Sequence, residues 1–122
     1  MYTKIMSATD GSATASKAVS IAADLARAVG AELLLVHVGD PGDGRSVLDD
    51  AVAKFGGGLA TKTMTVAGDP ADMILESAEA EGADLIVVGN KGMTGAKRFL
   101  LGSVPNQVSH HSPCNVLIVK TT

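Results

Sequence analysis

Leu85-Ile86-Val87-Val88-Gly89-Asn90-Lys91-Gly92 opens the stretch whose reading decides the fold, and the same stretch ends in Gly102-Ser103-Val104-Pro105-Asn106-Gln107-Val108. The apolar run at its head reads as a parallel strand buried on both faces, and Ser103 onward reads as a helix start. A glycine-rich loop therefore joins a strand to a helix. Gly89, Gly92 and Gly102 are expected to free the backbone for positive φ and to let a ligand approach bare amides. Ser103 is an N-cap residue type; its hydroxyl, the first free helix amides and the positive end of the helix dipole would face the loop's contents. Such a loop is an anion site, with phosphate the natural occupant. Lys91, Lys97 and Arg98 add positive charge to it.

Outward from that loop, strands and helices alternate. The first strand, Tyr2 to Thr9, stops at Asp10-Gly11-Ser12, where Ser12 caps a helix. Ala15, Ala18, Val19, Ala22, Ala26 and Val29 give that helix a narrow stripe of small residues suited to close packing on a sheet, and Gly30 ends it. The second strand, Ala31 to Val38, is apolar enough to lie near the sheet centre. The chain then turns through Gly39 to Gly44, and Ser46 to Phe55 carries a weak helical pattern that Gly56-Gly57-Gly58 breaks. The third strand, Leu59 to Ala67, has a polar alternate face with Lys62, as expected at a sheet edge. Asp69-Pro70 starts another helix, whose stripe of Ile74, Leu75 and Ala78 runs up to Gly82. The fourth strand, Asp84 to Val88, delivers the glycine loop, and Asn115 to Lys120 closes the sheet. This alternation makes residues 1–122 an α/β domain with a parallel sheet, right-handed crossovers and helices on both faces. In such sheets ligands bind beyond the carboxyl ends of the strands. Asp10 and Ser12, Val38 and Gly39, and Gly89 to Gly92 all fall at that end.

Gly89-x2-Gly92-x9-Gly102-Ser103, followed by Val104-Pro105 and the closing strand, resembles the nucleotide-binding signature of the universal stress protein family, in its ATP-binding branch. Ala8-Thr9-Asp10-Gly11-Ser12 is similar to the loop after the family's first strand. The resemblance implies a single open five-stranded parallel sheet of the adenine nucleotide alpha hydrolase-like type, in strand order 3-2-1-4-5. It also implies roles. Ala8, Thr9 and Asp10 would line the ribose and phosphate side, Val38 would offer backbone groups to adenine, and Val88, Gly89, Gly92, Gly102, Ser103 and Val104 would hold the phosphates. Asn90 and Lys91 occupy variable positions and carry no role. A carboxylate beside phosphates repels them unless it bonds a ribose hydroxyl or faces a cation, so Asp10 points to Mg²⁺ or Mn²⁺ accompanying a bound triphosphate. Family members have a longer segment between Gly39 and Leu59, and the shortening here is expected to leave the outer side of the site open. AMP or cyclic AMP in place of ATP, or a ligand-free dimeric interaction protein, are the competing expectations. The last strand, apolar from Val116 to Val119, is expected to be covered by a second copy across a two-fold axis, and the resemblance implies such a homodimer.

A chain of 122 residues can bury one core without disulfides or metal. A net charge of −3 and 2% aromatic residues offer nucleic acid neither a cationic stripe nor a stacking platform. The single cysteine, Cys114, excludes an internal disulfide and fits a reducing cytoplasm. The first residues lack a signal-peptide pattern and no run reaches transmembrane length, so a soluble cytoplasmic protein with no membrane partner is expected. Gly39-x4-Gly44-Arg45-Ser46 comes within one substitution of a phosphate-binding P-loop, yet Arg45 replaces the lysine, Pro41 lacks an amide hydrogen, and Asp40 and Asp43 carry the wrong charge. An exposed acidic turn is the plainer reading. His110 and His111 are adjacent, which suits a solvated helix end better than a metal pair. His37 reads as a hydrogen-bonded interior histidine, and Cys114 as a packing residue. No residue stands out to orient a water on a γ-phosphate, so any ATPase activity should be slow or absent.

Overall fold

The computed structural model of the chain describes residues 1–90 and 103–121, with backbone alone at Ser103. Its elements run β1 (Lys4–Ala8), α1 (Ala13–Val29), β2 (Glu32–Val38), α2 (Pro41–Phe55), β3 (Thr61–Val66), α3 (Pro70–Glu81), β4 (Leu85–Gly89), α4 (Ser103–His111) and β5 (Asn115–Val119). Three helix starts are set by capping side chains. Ser12 accepts from the Ala15 amide, Asp40 from the Gly42 amide and Asp69 from the Asp72 amide, with Pro41 and Pro70 in the first turns behind the two aspartates. Gly30 and Gly82 end α1 and α3 in the left-handed conformation that glycine adopts without strain.

The strands form one parallel sheet in the order β3-β2-β1-β4-β5. That is the order implied by the resemblance. Both faces are covered. Ile5, Leu33, Leu35 and Val87 pack beneath the alanine stripe of α1 and beneath Leu48 and Ala51 of α2. Met6, Leu34, Val36 and Ile86 pack on the other face against Ala71, Ile74 and Ala78 of α3 and Val108 of α4. Period-two alternation along β1, β2 and β4 sorts these side chains, and because each face meets a helix layer the strands are apolar throughout. At about 25 cal/mol per Å², each fully buried leucine or isoleucine in this core stabilises by roughly 2 kcal/mol.

The two ends of the sheet are built differently. At the amino-terminal ends, the Asp84 carboxylate accepts from the Thr3 and Lys4 amides and the Thr3 hydroxyl. Burial pushes this carboxyl up, but those three donors together outweigh it and hold the group below its ordinary value. Lys62 on edge strand β3 bonds Glu81 at 2.6 Å; the hydrogen bond and the charge hold the lysine above and the glutamate below their ordinary values. Such contacts tie loops down at the closed end.

The second helix corrects the sequence reading. It begins at Pro41, so the expected turn through Gly44 is the first turn of a helix capped by Asp40, and neither the P-loop nor the acidic turn exists. Gly44 is buried, its amide donates to the Asp40 carbonyl, and a side chain there would sit 2.7 Å from both His37 Nδ1 and Thr65 Oγ1. Its missing side chain makes room for β2 and β3, not for a phosphate.

Candidate functional site

The sheet winds outward in one direction from β1 through β2 to β3 and in the other through β4 to β5, so the reversal lies between β1 and β4. The carboxyl ends of β1 and β4 flank it, with that of β2 next to β1, and this is where ligands enter open α/β sheets. The turn after β1 is built by its own polar side chains. Ala8 and Thr9 are buried, the Thr9 amide donates to the Val36 carbonyl, and the Thr9 hydroxyl accepts from the Gly11 amide at 3.0 Å. Asp10 Oδ1 accepts from the Ser12 amide at 2.9 Å, an aspartate turn that leads into the capped start of α1. Gly11 has φ 85° and lies beneath Val47 of α2, whose methyl would be 3.3 Å from an added Cβ. α2 thus lies directly over the Asp10 turn.

Val38 ends β2 half-buried against the α3 and α4 layer. Gly39 follows at φ 145° with its amide donating to the Val66 carbonyl at 2.8 Å, and its missing side chain faces the His37 ring 3.1 Å away. On β4, Val88 is buried and Gly89 is the last strand residue. Val104, in the first turn of α4, is half-buried in the same layer as Val38 and Val88. Ala8, Thr9, Asp10, Val38, Val88, Gly89 and Val104 thus stand at the carboxyl end of the sheet or in the helix that leads back from it. Gly92, Gly102, Lys91, Lys97 and Arg98 lie outside the described residues, as does the Ser103 side chain.

Gly89 departs from expectation, since it is not among the positive-φ glycines and keeps strand geometry. What its missing side chain admits is Thr121, whose methyl would be 3.2 Å from an added Cβ. Asn90 accepts two hydrogen bonds from that same threonine. Sequence reading gave Asn90 no role and did not pair it with Thr121, and no spacing rule joins residues this far apart. His37 is also corrected. The residue is buried, 6% exposed, but its Nδ1 has no hydrogen-bond partner. Cys114 packs half-buried against the α3 and α4 layer, and His110 and His111 are exposed at the end of α4, both as expected.

Among the described residues no group of three or more histidine, cysteine or acidic side chains is placed to hold a metal ion. Among the same residues no helix is long and apolar enough to cross a membrane.

Comparison with known proteins bears directly on this geometry. The model of the universal stress protein family matches residues 1–51 and 43–120. The two matched stretches overlap inside α2. The universal stress protein YxiE of Bacillus subtilis is 34% identical over 148 aligned positions, covering 98% of this chain and 100% of that protein. That alignment is longer than the 122-residue chain itself, so the relative carries residues this chain lacks. Among solved structures, a universal stress protein in complex with cAMP superimposes with a TM-score of 0.86 at 38% identity, covering 99% of this chain and 98% of that one. The Arabidopsis thaliana universal stress protein family protein At3g01520 with AMP bound gives a TM-score of 0.79 at 25% identity, with 98% and 92% covered. Signature, sheet order and whole-chain similarity agree: the chain belongs to the universal stress protein family.

Proposed function

We propose that this protein is a small cytoplasmic universal stress protein that binds an adenine nucleotide, foremost ATP, and acts in stress response or signalling rather than as an efficient catalyst. The observation that carries the reading is the convergence of the Asp10, Gly39 and Gly89 turns at the winding reversal between β1 and β4. In this reading residues 1–122 are one nucleotide-binding domain. Ala8, Thr9 and Asp10 line the ribose and phosphate side, Val38 presents backbone groups to adenine, and Val88, Gly89, Gly92, Gly102, Ser103 and Val104 surround the phosphates. With a triphosphate, Asp10 faces Mg²⁺ or Mn²⁺ held by the phosphates, which would offset repulsion between two anions. AMP or cyclic AMP is the second reading, favoured by the similar structures that hold cAMP and AMP. Mass spectrometry of ligand released from freshly purified protein tests the proposal: ATP supports the first reading, AMP or cyclic AMP the second, and a protein that carries and binds none overturns both.

The same reading makes the protein a homodimer through β5. Among the described elements β3 and β5 are the sheet edges, and they differ in kind. β3 is blunted by threonines and the Lys62–Glu81 pair, whereas β5 leaves Leu117 37% and Ile118 43% exposed on an apolar edge. Such an edge pairs readily with another strand. Light scattering should show a dimer for the wild type and a monomer for Leu117→Pro, because proline removes a ladder donor. A monomeric wild type at micromolar concentration overturns the assembly.

A further inference from the structure

We infer that Asn90 and Thr121 form a latch that positions the start of the nucleotide loop, so that ligand affinity depends on a residue pair that is not among the fixed positions of the glycine signature. The inference rests on the reading of that loop as the phosphate side of the site. Its basis is a set of contacts at the junction of β4 and β5. β5 pairs with β4 in register as far as Gly89 with Val119, and the Asn90 amide extends the ladder by donating to the Val119 carbonyl at 2.8 Å. One residue further, the Asn90 side chain takes over from the backbone. Its Oδ1 accepts from the Thr121 amide at 2.9 Å and from the Thr121 hydroxyl at 2.8 Å. A backbone amide can only donate, so the side-chain atom facing it must be the oxygen, which fixes the orientation of the Asn90 amide.

Thr121 is only 8% exposed and is wedged by shape as well as by hydrogen bonds. Its methyl lies 3.2 Å from the point where a Gly89 Cβ would be, and the Thr14 carbonyl of the first turn of α1 lies 3.8 Å from the same point. Gly89 thereby lies between α1 and the stretch after β5, and Asn90 is bonded to that stretch. These are the residues from which the loop departs, so their position sets where its amides begin. Preorganising a site reduces the ordering cost of binding, and the coupling is reciprocal: whatever the latch contributes to nucleotide affinity, bound nucleotide returns to the latch.

The test compares three variants by calorimetry with ATP and Mg²⁺, alongside amide hydrogen exchange. Asn90→Ala removes the acceptor for both bonds and should weaken affinity about tenfold, and Thr121→Val, which keeps the methyl and the amide but loses the hydroxyl, about threefold, in line with roughly 1 kcal/mol per net hydrogen bond. Ser112→Ala is the control. It removes a comparable side-chain turn at the other end of β5, where Ser112 Oγ donates to the Cys114 carbonyl and accepts from the Cys114 amide, and should leave affinity unchanged. In the wild type, nucleotide should slow exchange of the Thr121 amide, and in Asn90→Ala it should not. Wild-type affinity in both Asn90→Ala and Thr121→Val overturns the latch while leaving the nucleotide reading intact. Equal weakening in Ser112→Ala also overturns it, because loosened β5 would then be the cause. A wild type that binds no adenine nucleotide overturns the functional reading and the latch's role with it.

Discussion

After β2 the chain runs Gly39-Asp40-Pro41-Gly42-Asp43-Gly44, and after β4 it runs Gly89-Asn90-Lys91-Gly92; both are glycine-spaced segments leaving a buried strand. In the first, an aspartate cap and a proline start a helix at once, and Gly44 is small because two other strands' side chains occupy its space. In the second, the strand ends at Gly89 and Asn90 turns its side chain toward Thr121. The first few residues after the strand do not tell these segments apart by glycine spacing. What separates them is the neighbour that fills the place of the missing Cβ, and whether a cap is ready to begin a helix.

The comparison can be broken at Gly44 first. An added methyl would sit 2.7 Å from His37 Nδ1 and 2.7 Å from Thr65 Oγ1, closer than non-bonded atoms approach. Gly44→Ala should therefore lower unfolding free energy by about 2 kcal/mol, overpacking outweighing the gain of about 1 kcal/mol in helix propensity. Urea denaturation measures this, and a stabilised variant would mean that the helix start is not held against β2 and β3. Gly89→Ala should be milder. Its methyl would be tight only against the Thr121 methyl, at 3.2 Å, so stability should move by no more than about 1 kcal/mol while exchange of the Thr121 amide speeds up. Unchanged exchange would show that Thr121 does not fill the space at Gly89. The smallest effect belongs to Arg45, which a P-loop would place on phosphate and which here projects from α2 beside Pro41, Gly42 and Asp49. Arg45→Ala should leave nucleotide affinity within about threefold, since a screened surface charge contributes little. A collapse of binding would return the phosphate site to the β2 turn.

The sheet was legible because it rests on local signals: apolar runs such as Leu33 to Val36, the spaced alanines of α1, and Asp69-Pro70 as a helix start. Asp40-Pro41 is the same pair in the same role, but Gly42 and Gly44 lower helix propensity and imitate a phosphate loop, which concealed it. The Gly44 amide donates to the Asp40 carbonyl, which shows what outweighed propensity there: the cap and packing against β2 and β3. The unpartnered Nδ1 of His37 could not be read at all, since it depends on which residue of α2 and which of β3 face it. Asn90 and Thr121 meet across the sheet, and their pairing exists only once β4 and β5 are in register. For the glycine signature the case was the reverse. Its specificity was visible in spacing, while Gly92 and Gly102 lie outside the described residues.

In the proposed function the segment after β4, and not the one after β2, receives the phosphates of an adenine nucleotide. Calorimetry with ATP and Mg²⁺ on the wild type and on Gly102→Val tests it most directly, because a branched side chain there would obstruct bare amides while leaving the core of α1, α2 and α3 intact. The account predicts saturable binding to the wild type and loss of at least about a hundredfold in affinity, close to 3 kcal/mol, in a variant whose circular dichroism and unfolding midpoint match the wild type. Undiminished affinity in a folded Gly102→Val would contradict it.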